Sequence, residues 1–302
     1  MAVVDAVVVS YNSRAHLRAC VEPLTHTEGV RVVVVDNASG DGSAETVADL
    51  DVVLLRRAEN GGFAVGCNEG WRAGDAPFVL FVNPDATIDE ASLAALLAVL
   101  EREDGVGAVA PRIEGPGGTL AWSQRRVPRL RSAFARALFL HRAFPRAAWS
   151  DDVVRDPRAY ERPRSPDWVS GACVLVRREA LAAVDGWDEG FFLYGEDADL
   201  CRRLRAAGWD VRFEPAARAV HAEGASAPRA VTLPLLAASR IRYLRKHRGR
   251  AASLAGRAAL VLGALTHVAA GRGGRAARGG HARALWVALS GRDPAPPAGR
   301  TG

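Results

Sequence analysis

Asp85 stands where a short apolar run is forced to end. The residues Phe78–Val82 are all apolar, and Asn83, Pro84 and Asp85 follow them directly. Because Pro84 has no N–H to offer a sheet, the predicted strand must stop here. Open α/β sheets bind ligands at the carboxyl ends of their strands, so Asp85 is predicted to face a metal ion or a sugar-nucleotide. The alternative is a turn that only ends the strand, and this stretch alone does not decide between them.

An acid pair, Glu196 and Asp197, stands at the start of a predicted helix. Phe191, Phe192 and Tyr194 precede the pair closely. Carboxylates beside apolar rings hold their protons more tightly, which suits a general base. Carboxylates at a helix N-terminus are also favoured by the helix dipole, and for the pair taken alone this structural explanation is the better one.

Two further features could contact a ligand. His221 ends a short predicted strand, and with Asp85 it could complete a site of mixed oxygen and nitrogen donors for a divalent metal, although a single histidine is more often structural. The loop with Gly61 and Gly62 could bring backbone N–H groups to a phosphate at a helix N-terminus. It matches neither common glycine-rich phosphate motif, so a tight turn is the alternative.

Strands and helices that alternate along the first hundred residues must position these groups. Apolar runs predict strands at 3–10, 30–35, 52–55 and 78–86, and the stretches between and after them predict helices over 13–22, from Ser43, up to Arg72 and over 90–101. This alternation indicates an α/β fold with a Rossmann-like, mostly parallel sheet flanked by helices. Polar residues follow the strands and should share one sheet edge: Ser10, Tyr11, Asn12, Asp36, Asn37 and Asp85.

The second half of the chain is less regular. Residues 112–166 are rich in loop formers, arginine and proline, with one candidate helix over 130–143. So long an irregular insertion in a compact domain is usually functional or mobile. Further elements predicted here are strands at 106–111 and 168–176, a helix over 197–207, and edge strands at 209–213 and 219–221.

Charge divides the chain in two. The net charge is +6, but residues 224–302 carry 14 Lys+Arg and one acidic residue, a net +13, so the remainder carries −7. From Pro234 the pattern is also helical. This predicts an α/β domain over 1–233 and a basic helical C-terminal extension over 234–302 with a flexible end. A basic tail on an acidic body predicts contact with an anionic surface.

Within the extension, a dense basic run, Arg240–Arg250, precedes a stretch of leucine, valine and alanine that Arg257 and His267 interrupt. This pattern fits an interfacial helix on an anionic membrane leaflet better than a spanning helix. A helix that packs its leucines on the main domain explains the pattern nearly as well. Nucleic acid is not an expected partner, because the tail lacks interleaved aromatic residues and the chain has no nucleic-acid motif.

Cysteine usage and the N-terminus bear on the compartment. Four separated cysteines form no CxxC pair, which is typical of neither a zinc site nor a secreted disulfide framework: Cys20, Cys67, Cys173 and Cys201. No basic region precedes the first apolar run, so no signal peptide is predicted. The expected location is the cytoplasm, with peripheral attachment to the inner face of the cell membrane if the tail lies on a leaflet.

Seven segments, in this order and spacing, resemble the family 2 glycosyltransferases of the GT-A fold. The resemblance covers about residues 3–247, and within the family it is most similar to bacterial rhamnosyltransferases that build polysaccharides or lipid-linked glycans. The segments that carry it are residues 7–13 (VVVSYNS), 35–43 (VDNASGDGS), 60–68 (NGGFAVGCN), 83–86 (NPDA), 169–173 (VSGAC), 195–200 (GEDADL) and 220–221 (VH).

The resemblance implies an inverting transfer from a nucleoside-diphosphate sugar, with Mg²⁺ or Mn²⁺. Asp85 would coordinate the metal that bridges the diphosphate, with His221 as a further ligand. Asp197 would be the base that deprotonates the acceptor hydroxyl, and Glu196 would help to position it. The donor would lie against residues of the matched segments: Ser10, Tyr11, Asn12, Asp36, Asn37, Gly62, Asn68, Asn83 and Asp85.

Three points follow from the resemblance less directly. The family's metal motif often reads Asp-x-Asp, whereas Asn83 holds the first position here, so strict metal dependence does not follow. The resemblance favours dTDP-L-rhamnose as donor, with UDP-linked galactofuranose, hexose or N-acetylhexosamine as the alternative, and a glycan or polyprenyl-linked acceptor. A degenerate sugar-nucleotide-binding protein would look alike but should lack the base, and Asp197 is present.

Overall fold

The computed structural model of the chain describes residues 2–222, 229–269 and 274–294. Eight strands form one sheet in the order β3-β2-β1-β4-β9-β6-β10-β5, and β7 pairs with β8 in a separate ribbon. The strands are β1 (Val4–Ser10), β2 (Val30–Asp36), β3 (Val53–Arg56), β4 (Phe78–Val82), β5 (Ala86–Ile88), β6 (Val106–Glu114), β7 (Gln124–Arg125), β8 (Trp168–Val169), β9 (Cys173–Arg177) and β10 (Asp210–His221).

The sheet is mostly parallel, as predicted. Strands β3, β2, β1 and β4 run parallel to one another, and β6 runs parallel to β10. Strand β9 is antiparallel to both β4 and β6, and β5 is antiparallel to β10. Every residue of β1 and of β4 is buried, which explains their unbroken apolar runs, because helices cover both faces.

Helices cover the two faces and extend beyond the sheet. They are α1 (Leu17–Thr25), α2 (Phe63–Arg72), α3 (Glu90–Arg102), α4 (Leu130–Ala137), α5 (Leu140–Ala143), α6 (Arg178–Ala183), α7 (Glu196–Ala206), α8 (Arg229–Ala269) and α9 (Gly274–Ser290). Alternate residues of β1 serve opposite faces. Val4 and Val8 pack with α1 and α3, whereas Val7 and Val9 pack with α2, α6 and α7.

Two predicted helices differ from the structure. The first begins at Leu17 and not at Ser13, because Ser13 lies in a turn that precedes the helix. The carbonyl of Ser13 accepts hydrogen bonds from the N–H groups of His16 and Leu17. The second, predicted from Ser43, is a single 3₁₀ turn, Ala44–Val47.

Several predictions for the second half also require correction. The strand predicted at 168–176 is two strands in different sheets, β8 and β9. The two edge strands predicted at 209–213 and 219–221 are one interior strand, β10, with an irregularity between Glu214 and Arg218. The candidate helix over 130–143 is broken into α4 and α5 at Phe139, whose φ of 59° is left-handed. The two strand errors share a cause, since pairing partners distant in sequence decide where such strands run.

The C-terminal helices pack on the α/β domain. Helix α8 contains a non-helical Gly249 (φ 82°) and packs against α4 and α9. It is also long and apolar enough to span a membrane by length and composition, with a mean hydropathy of 1.4 in its most apolar window, and 22% of that window is buried within the protein. The predicted flexible end, residues 295–302, lies outside the described residues.

Much of the predicted basic run turns toward the protein itself. Arg240 pairs with Asp152 at 2.8 Å, and Arg242 pairs with Asp188 at 2.8 Å. Lys246 also pairs with Asp188, at 2.6 Å. The C-terminal extension was predicted to contact an anionic surface, and part of that surface is supplied by acidic side chains of the α/β domain of the same chain.

Candidate active site

Ser10 and Asp36 occupy the carboxyl ends of neighbouring strands. They are direct partners in the parallel register of β1 and β2. Both residues are buried, and the Ser10 Oγ and one Asp36 carboxylate oxygen, Oδ1, have no hydrogen-bond partner among the described residues. Buried polar atoms are normally paired, so two adjacent unpaired ones at this edge fit a polar ligand.

Other residues predicted to hold the donor shape the loops around it. Asn12 joins the loops after β1 and β2: its N–H donates to Ser39 Oγ at 3.0 Å, and its Oδ1 accepts from the N–H of Gly40 at 2.9 Å. Asn37 is buried, donates its amide to the Gly62 carbonyl at 3.0 Å and accepts from the Gly61 N–H at 3.0 Å. Tyr11 lies partly buried just after β1.

The glycine loop does not present its N–H groups to a phosphate. The Gly61 N–H donates to Asn37, the Gly62 N–H to Asn60 Oδ1 at 2.9 Å, and the Phe63 N–H to the Phe192 carbonyl at 2.9 Å. Gly62 is required sterically, because its φ is +89° and a Cβ would lie 2.3 Å from the Phe192 oxygen. These N–H groups are therefore paired within the protein, which favours the alternative of a tight turn, and the loop connects to the segment before α7.

Asn68 connects α2 to the segment before α7. It is 1% exposed. Its amide donates to the Trp187 carbonyl at 2.9 Å and to Glu189 at 2.8 Å, while its oxygen accepts from the N–H groups of Trp187 and the Trp71 ring. All its polar capacity is used inside the protein. The structure does not place Asn68 with the other predicted donor residues.

Asp85 and His221 lie together, although 136 positions separate them. Strand β5 follows Asp85 directly and pairs with the end of β10, so that His221 opposes Ala86. The His221 Nε2 is 3.0 Å from Asp85 Oδ1, and it is 3.5 Å from the Asn83 amide nitrogen. The side chains of Asp85 and His221 are 15% and 18% exposed, so a ligand can reach them.

This pair can hold a divalent metal only with help. A carboxylate and an imidazole suit Mg²⁺ or Mn²⁺ as two of several ligands. Among the described residues, no group of three or more His, Cys, Asp or Glu side chains could hold a metal alone. The donor set therefore fits an ion whose remaining ligands come from a bound diphosphate and water.

The acid pair begins α7, as predicted. Glu196 is 6% exposed, and its Oε2 has no partner among the described residues. Asp197 accepts hydrogen bonds from the N–H groups of Gly171 at 3.3 Å and Ala198 at 2.8 Å. Burial raises the pKa of Glu196, and the charge of Asp197 adds to this; burial also raises the pKa of Asp197. Such raised values suit proton transfer at a carboxylate.

A two-residue bridge connects the acid pair to the Asp85 region. The Gly171 N–H donates to Asp197 Oδ2, and the carbonyl of the next residue, Ala172, accepts from the Asn83 N–H at 2.9 Å. The bridge is fixed because β9, which follows it, pairs with β4, which precedes Asn83. The Asp85 region, which includes the candidate metal ligands Asp85 and His221, and the candidate base Asp197 are thus connected through one short loop.

A buried carboxylate anchors α7 on α8. Asp199 is fully buried and pairs with Arg203 at 2.6 Å on its own helix. It also pairs with Lys246 and His247 of α8, each at 2.7 Å. Asp199 lies two residues after Asp197 on the same helix, so this anchor restrains the start of α7 and with it the acid pair.

The sequence analysis missed the residues that surround Asp197 on its other side. Arg125 and Trp168 of the β7–β8 ribbon, with Tyr194, line a cavity of about 640 Å³ beside Asp197. Arg125 lies in an insertion rich in arginine, and nothing in its sequence context distinguishes it from its neighbours. The positive φ of Tyr194 (69°) marks the sharp turn that leads into α7.

The mostly parallel sheet and the helices that flank it have the architecture of the GT-A fold. The sequence pattern of the family described as "Glycosyltransferase like family 2" matches residues 2–249. The chain therefore belongs to glycosyltransferase family 2, and it is an enzyme of that class. The predicted family and fold class are both confirmed.

Within the family, the chain is similar to two bacterial rhamnosyltransferases. The chain is 35% identical, over 234 residues, to the N-acetylglucosaminyl-diphospho-decaprenol L-rhamnosyltransferase of Mycobacterium tuberculosis, covering 72% of this chain and 76% of the relative. It is 26% identical over 227 residues to the rhamnosyltransferase WbbL of Escherichia coli, covering 71% and 81%. The similarity to bacterial rhamnosyltransferases is thus confirmed.

A solved structure supports the fold alone. The mannosyltransferase PcManGT from Pyrobaculum calidifontis, in complex with GDP-Man and Mn²⁺, aligns with a TM-score of 0.58 at 18% identity. The alignment covers 95% of this chain and 86% of that one.

Proposed function

We propose that this enzyme transfers L-rhamnose from dTDP-L-rhamnose, with inversion, to a hydroxyl group of a lipid-linked glycan acceptor. The observation that carries the proposal is the bridge Gly171–Ala172, which holds Asp197 and the Asp85 region at a fixed separation. One side suits a metal-bound diphosphate and the other suits a base. The names of both relatives support rhamnose as the sugar, and the name of the Mycobacterium tuberculosis relative supports a diphospho-lipid as the acceptor.

The roles of the residues follow from this arrangement. Asp197 would take the proton of the acceptor hydroxyl, whose oxygen then attacks the anomeric carbon from the face opposite the diphosphate. The sugar–diphosphate bond breaks in the same step, so the configuration inverts and no covalent enzyme intermediate forms. Buried Glu196 would keep Asp197 in place. Mg²⁺ or Mn²⁺, held by Asp85 and His221 when bound, would neutralise charge on the departing diphosphate.

The donor nucleoside would lie across the ends of β1 and β2. The unpaired Ser10 Oγ would donate a hydrogen bond to it or accept one from it, and the unpaired Asp36 Oδ1 would accept one. Tyr11 would lie beside it, and Asn12, Asn37 and Gly62 would support the surrounding loops. Asn83 would act through the bridge, and its neutral amide would be a weaker metal ligand than the carboxylate of Asp85.

The donor is tested by a panel of nucleotide-sugars scored by diphosphate release. We expect release from dTDP-L-rhamnose to exceed release from UDP-galactofuranose, UDP-hexoses and UDP-N-acetylhexosamines. In competition, dTDP should displace the donor better than UDP or GDP. Tighter binding of GDP than of either pyrimidine diphosphate contradicts the assignment, and binding without any release supports a degenerate binding protein instead.

An apolar surface suits attachment to a membrane. Ten of the thirteen exposed large apolar side chains among the described residues belong to the segment 138–149 or to helices α8 and α9, and we call them the apolar surface: Leu138, Leu140, Phe144, Trp149, Leu236, Leu254, Leu265, Val268, Trp286 and Leu289. The three segments meet one another, because the ring centroid of Phe139 lies 4.4 Å from that of His267 of α8, which lies 5.0 Å from that of His281 of α9. We propose that this surface lies on an anionic leaflet on the cytoplasmic side.

Flotation with liposomes tests this attachment. Replacing both Leu265 and Trp286 with Gln removes two side chains that are 55% and 51% exposed. We expect partition onto anionic vesicles to fall about tenfold or more, since each apolar side chain that is fully buried contributes on the order of 1.5–3 kcal/mol. Diphosphate release from the donor should persist.

The matched control is Val53→Gln, which removes an exposed apolar side chain from edge strand β3. It should float like the wild type. Point substitutions are preferable to removal of the tail, because α8 pairs with Asp188 and Asp199 of the α/β domain. If the wild type, the double variant and Val53→Gln all float equally, the apolar surface does not bind the membrane and has only a structural role.

A further inference from the structure

The cavity beside Asp197 combines charged and apolar lining residues. Its volume of about 640 Å³ is within the range of small-molecule sites. Asp197, Tyr194 and Arg125 are among its polar lining residues. Helices α8 and α9 contribute leucines and alanines, among them Leu233 and Leu260, together with the polar side chains of Ser239, Arg240, His267 and His281. This combination suits a molecule with a polar head and an apolar tail.

Arg125 supplies a positive charge that forms no ion pair with an acidic side chain among the described residues. Its guanidinium lies over the Trp168 ring, 5.7 Å from the centroid. Its Nε is buried and has no hydrogen-bond partner, and no ion pair to Arg125 occurs in the described part of the chain. Burial lowers its pKa, although the charge of Asp197 opposes this. An unpaired buried donor of this kind is costly unless a ligand satisfies it.

The other two arginines that line the cavity are already paired. Arg136 contacts Asp151 at 3.2 Å, and Arg240 contacts Asp152 at 2.8 Å. Arg125 is therefore the lining arginine with its charge available to a ligand. Guanidinium binds phosphate oxygens by two parallel hydrogen bonds, which makes a phosphate group the natural partner.

The apolar part of the lining continues to the outside of the protein. Leu236 lines the cavity and is also 43% exposed, so it stands at the cavity mouth. It belongs to the apolar surface defined above. A chain that leaves the cavity past Leu236 would pass directly onto the surface proposed to meet the membrane.

We propose that this cavity is the acceptor site, in which Arg125 binds a phosphate of a lipid diphosphate-linked sugar and α8 with α9 holds the start of the lipid chain. The inference rests on the proposed function and assigns to it the residues that select the acceptor. A sugar whose anomeric carbon carries the diphosphate would place its hydroxyl at Asp197 and its phosphate one ring away, toward Arg125.

A transfer assay with two acceptors separates phosphate binding from other roles of Arg125. The acceptors are an N-acetylglucosaminyl-diphospho-alkyl lipid and an alkyl N-acetylglucosaminide with the same chain but no diphosphate. We expect Arg125→Gln to reduce kcat/KM about 10- to 100-fold on the first, the loss typical of a hydrogen bond to a charged group, and to change the second little. Arg245→Gln, at an exposed position of α8, should match the wild type on both.

The pattern of losses decides the question. If Arg125 acts only through the charge of Asp197, Arg125→Gln will slow both acceptors by the same factor, and the inference is overturned. Equal use of both acceptors by the wild type also overturns it. Failure of the proposed function looks different, because the wild type would then release no diphosphate from any donor.

Binding without turnover gives an independent test. Calorimetry with dodecyl diphosphate, at saturating dTDP so that the nucleotide site is filled, needs neither donor nor acceptor sugar. We expect the wild type and Arg245→Gln to bind alike and Arg125→Gln to bind at least about tenfold more weakly. Unchanged binding in Arg125→Gln would refute the assignment, whatever the transfer assay shows.

Discussion

Replacement of Asp197 by Asn should reduce turnover about 10²- to 10⁴-fold, which is the usual contribution of general acid–base catalysis. Asn keeps the shape, and its one carbonyl oxygen can still accept from either the Gly171 or the Ala198 N–H, although not from both as Asp197 does, so the start of α7 should stay close to its place. Donor affinity, measured by calorimetry with dTDP, should survive. Single-turnover transfer measured beside nucleotide binding shows both effects.

The pH profile gives a second readout of the same residue. A base must be deprotonated to act, and burial raises the pKa of Asp197, so the wild-type rate should fall as the pH is lowered through that raised value. In Asp197→Asn this acidic limb should disappear. Asp104→Asn, an exposed carboxylate, is the matched control and should keep the wild-type rate and profile. Near-normal turnover in Asp197→Asn would shift the role of base to Glu196.

Replacement of Asp85 by Asn should lower turnover about 10²-fold or more. Metal stabilisation of a leaving group is worth several kcal/mol, and 1.36 kcal/mol corresponds to a factor of ten in rate. Asp85 and His221 supply only two ligands, so metal and nucleotide should strengthen each other's binding in the wild type. Calorimetry with dTDP should show tighter binding with Mn²⁺ than with a chelator, and the Asp85→Asn protein should lose this difference.

The matched control for this site is Asp51→Asn, which changes an exposed carboxylate after the 3₁₀ turn. It should retain both turnover and the effect of metal on nucleotide affinity. Equal affinity of the wild type for dTDP with metal and with chelator argues against the site. Transfer would then rely on groups of the chain alone to stabilise the diphosphate.

The sequence by itself determined the strands of the first half and the residues that follow them. Valine runs such as those of β1 and β2 are local signals of strands buried on both faces, and Pro84 ends β4 by its own chemistry. The polar residues after these strands share one edge because parallel strands end on the same side. The matched segments identified the family for a related reason, since their order and spacing are properties of the chain.

Only the tertiary structure decided which polar residues remain available to a ligand. Ser10 and Asp36 look no more available in sequence than Asn37 and Asn68, yet the first two keep unpaired atoms and the last two are paired within the protein. The partner of Asn68 is Trp187, 119 positions away. Local patterns carry no information about a contact over that distance.

The same limit applies to the tail and to the cavity. The basic run predicted an anionic partner, but the Arg242–Asp188 and Arg240–Asp152 pairs that supply part of it join segments 54 and 88 positions apart. Arg125 could be recognised as a candidate ligand-binding residue only from the structure, in which it lines a cavity together with Asp197 and residues of α8. Burial and charge neutralisation arise from the packing of distant segments, so the fold was readable from the sequence and the acceptor side was not.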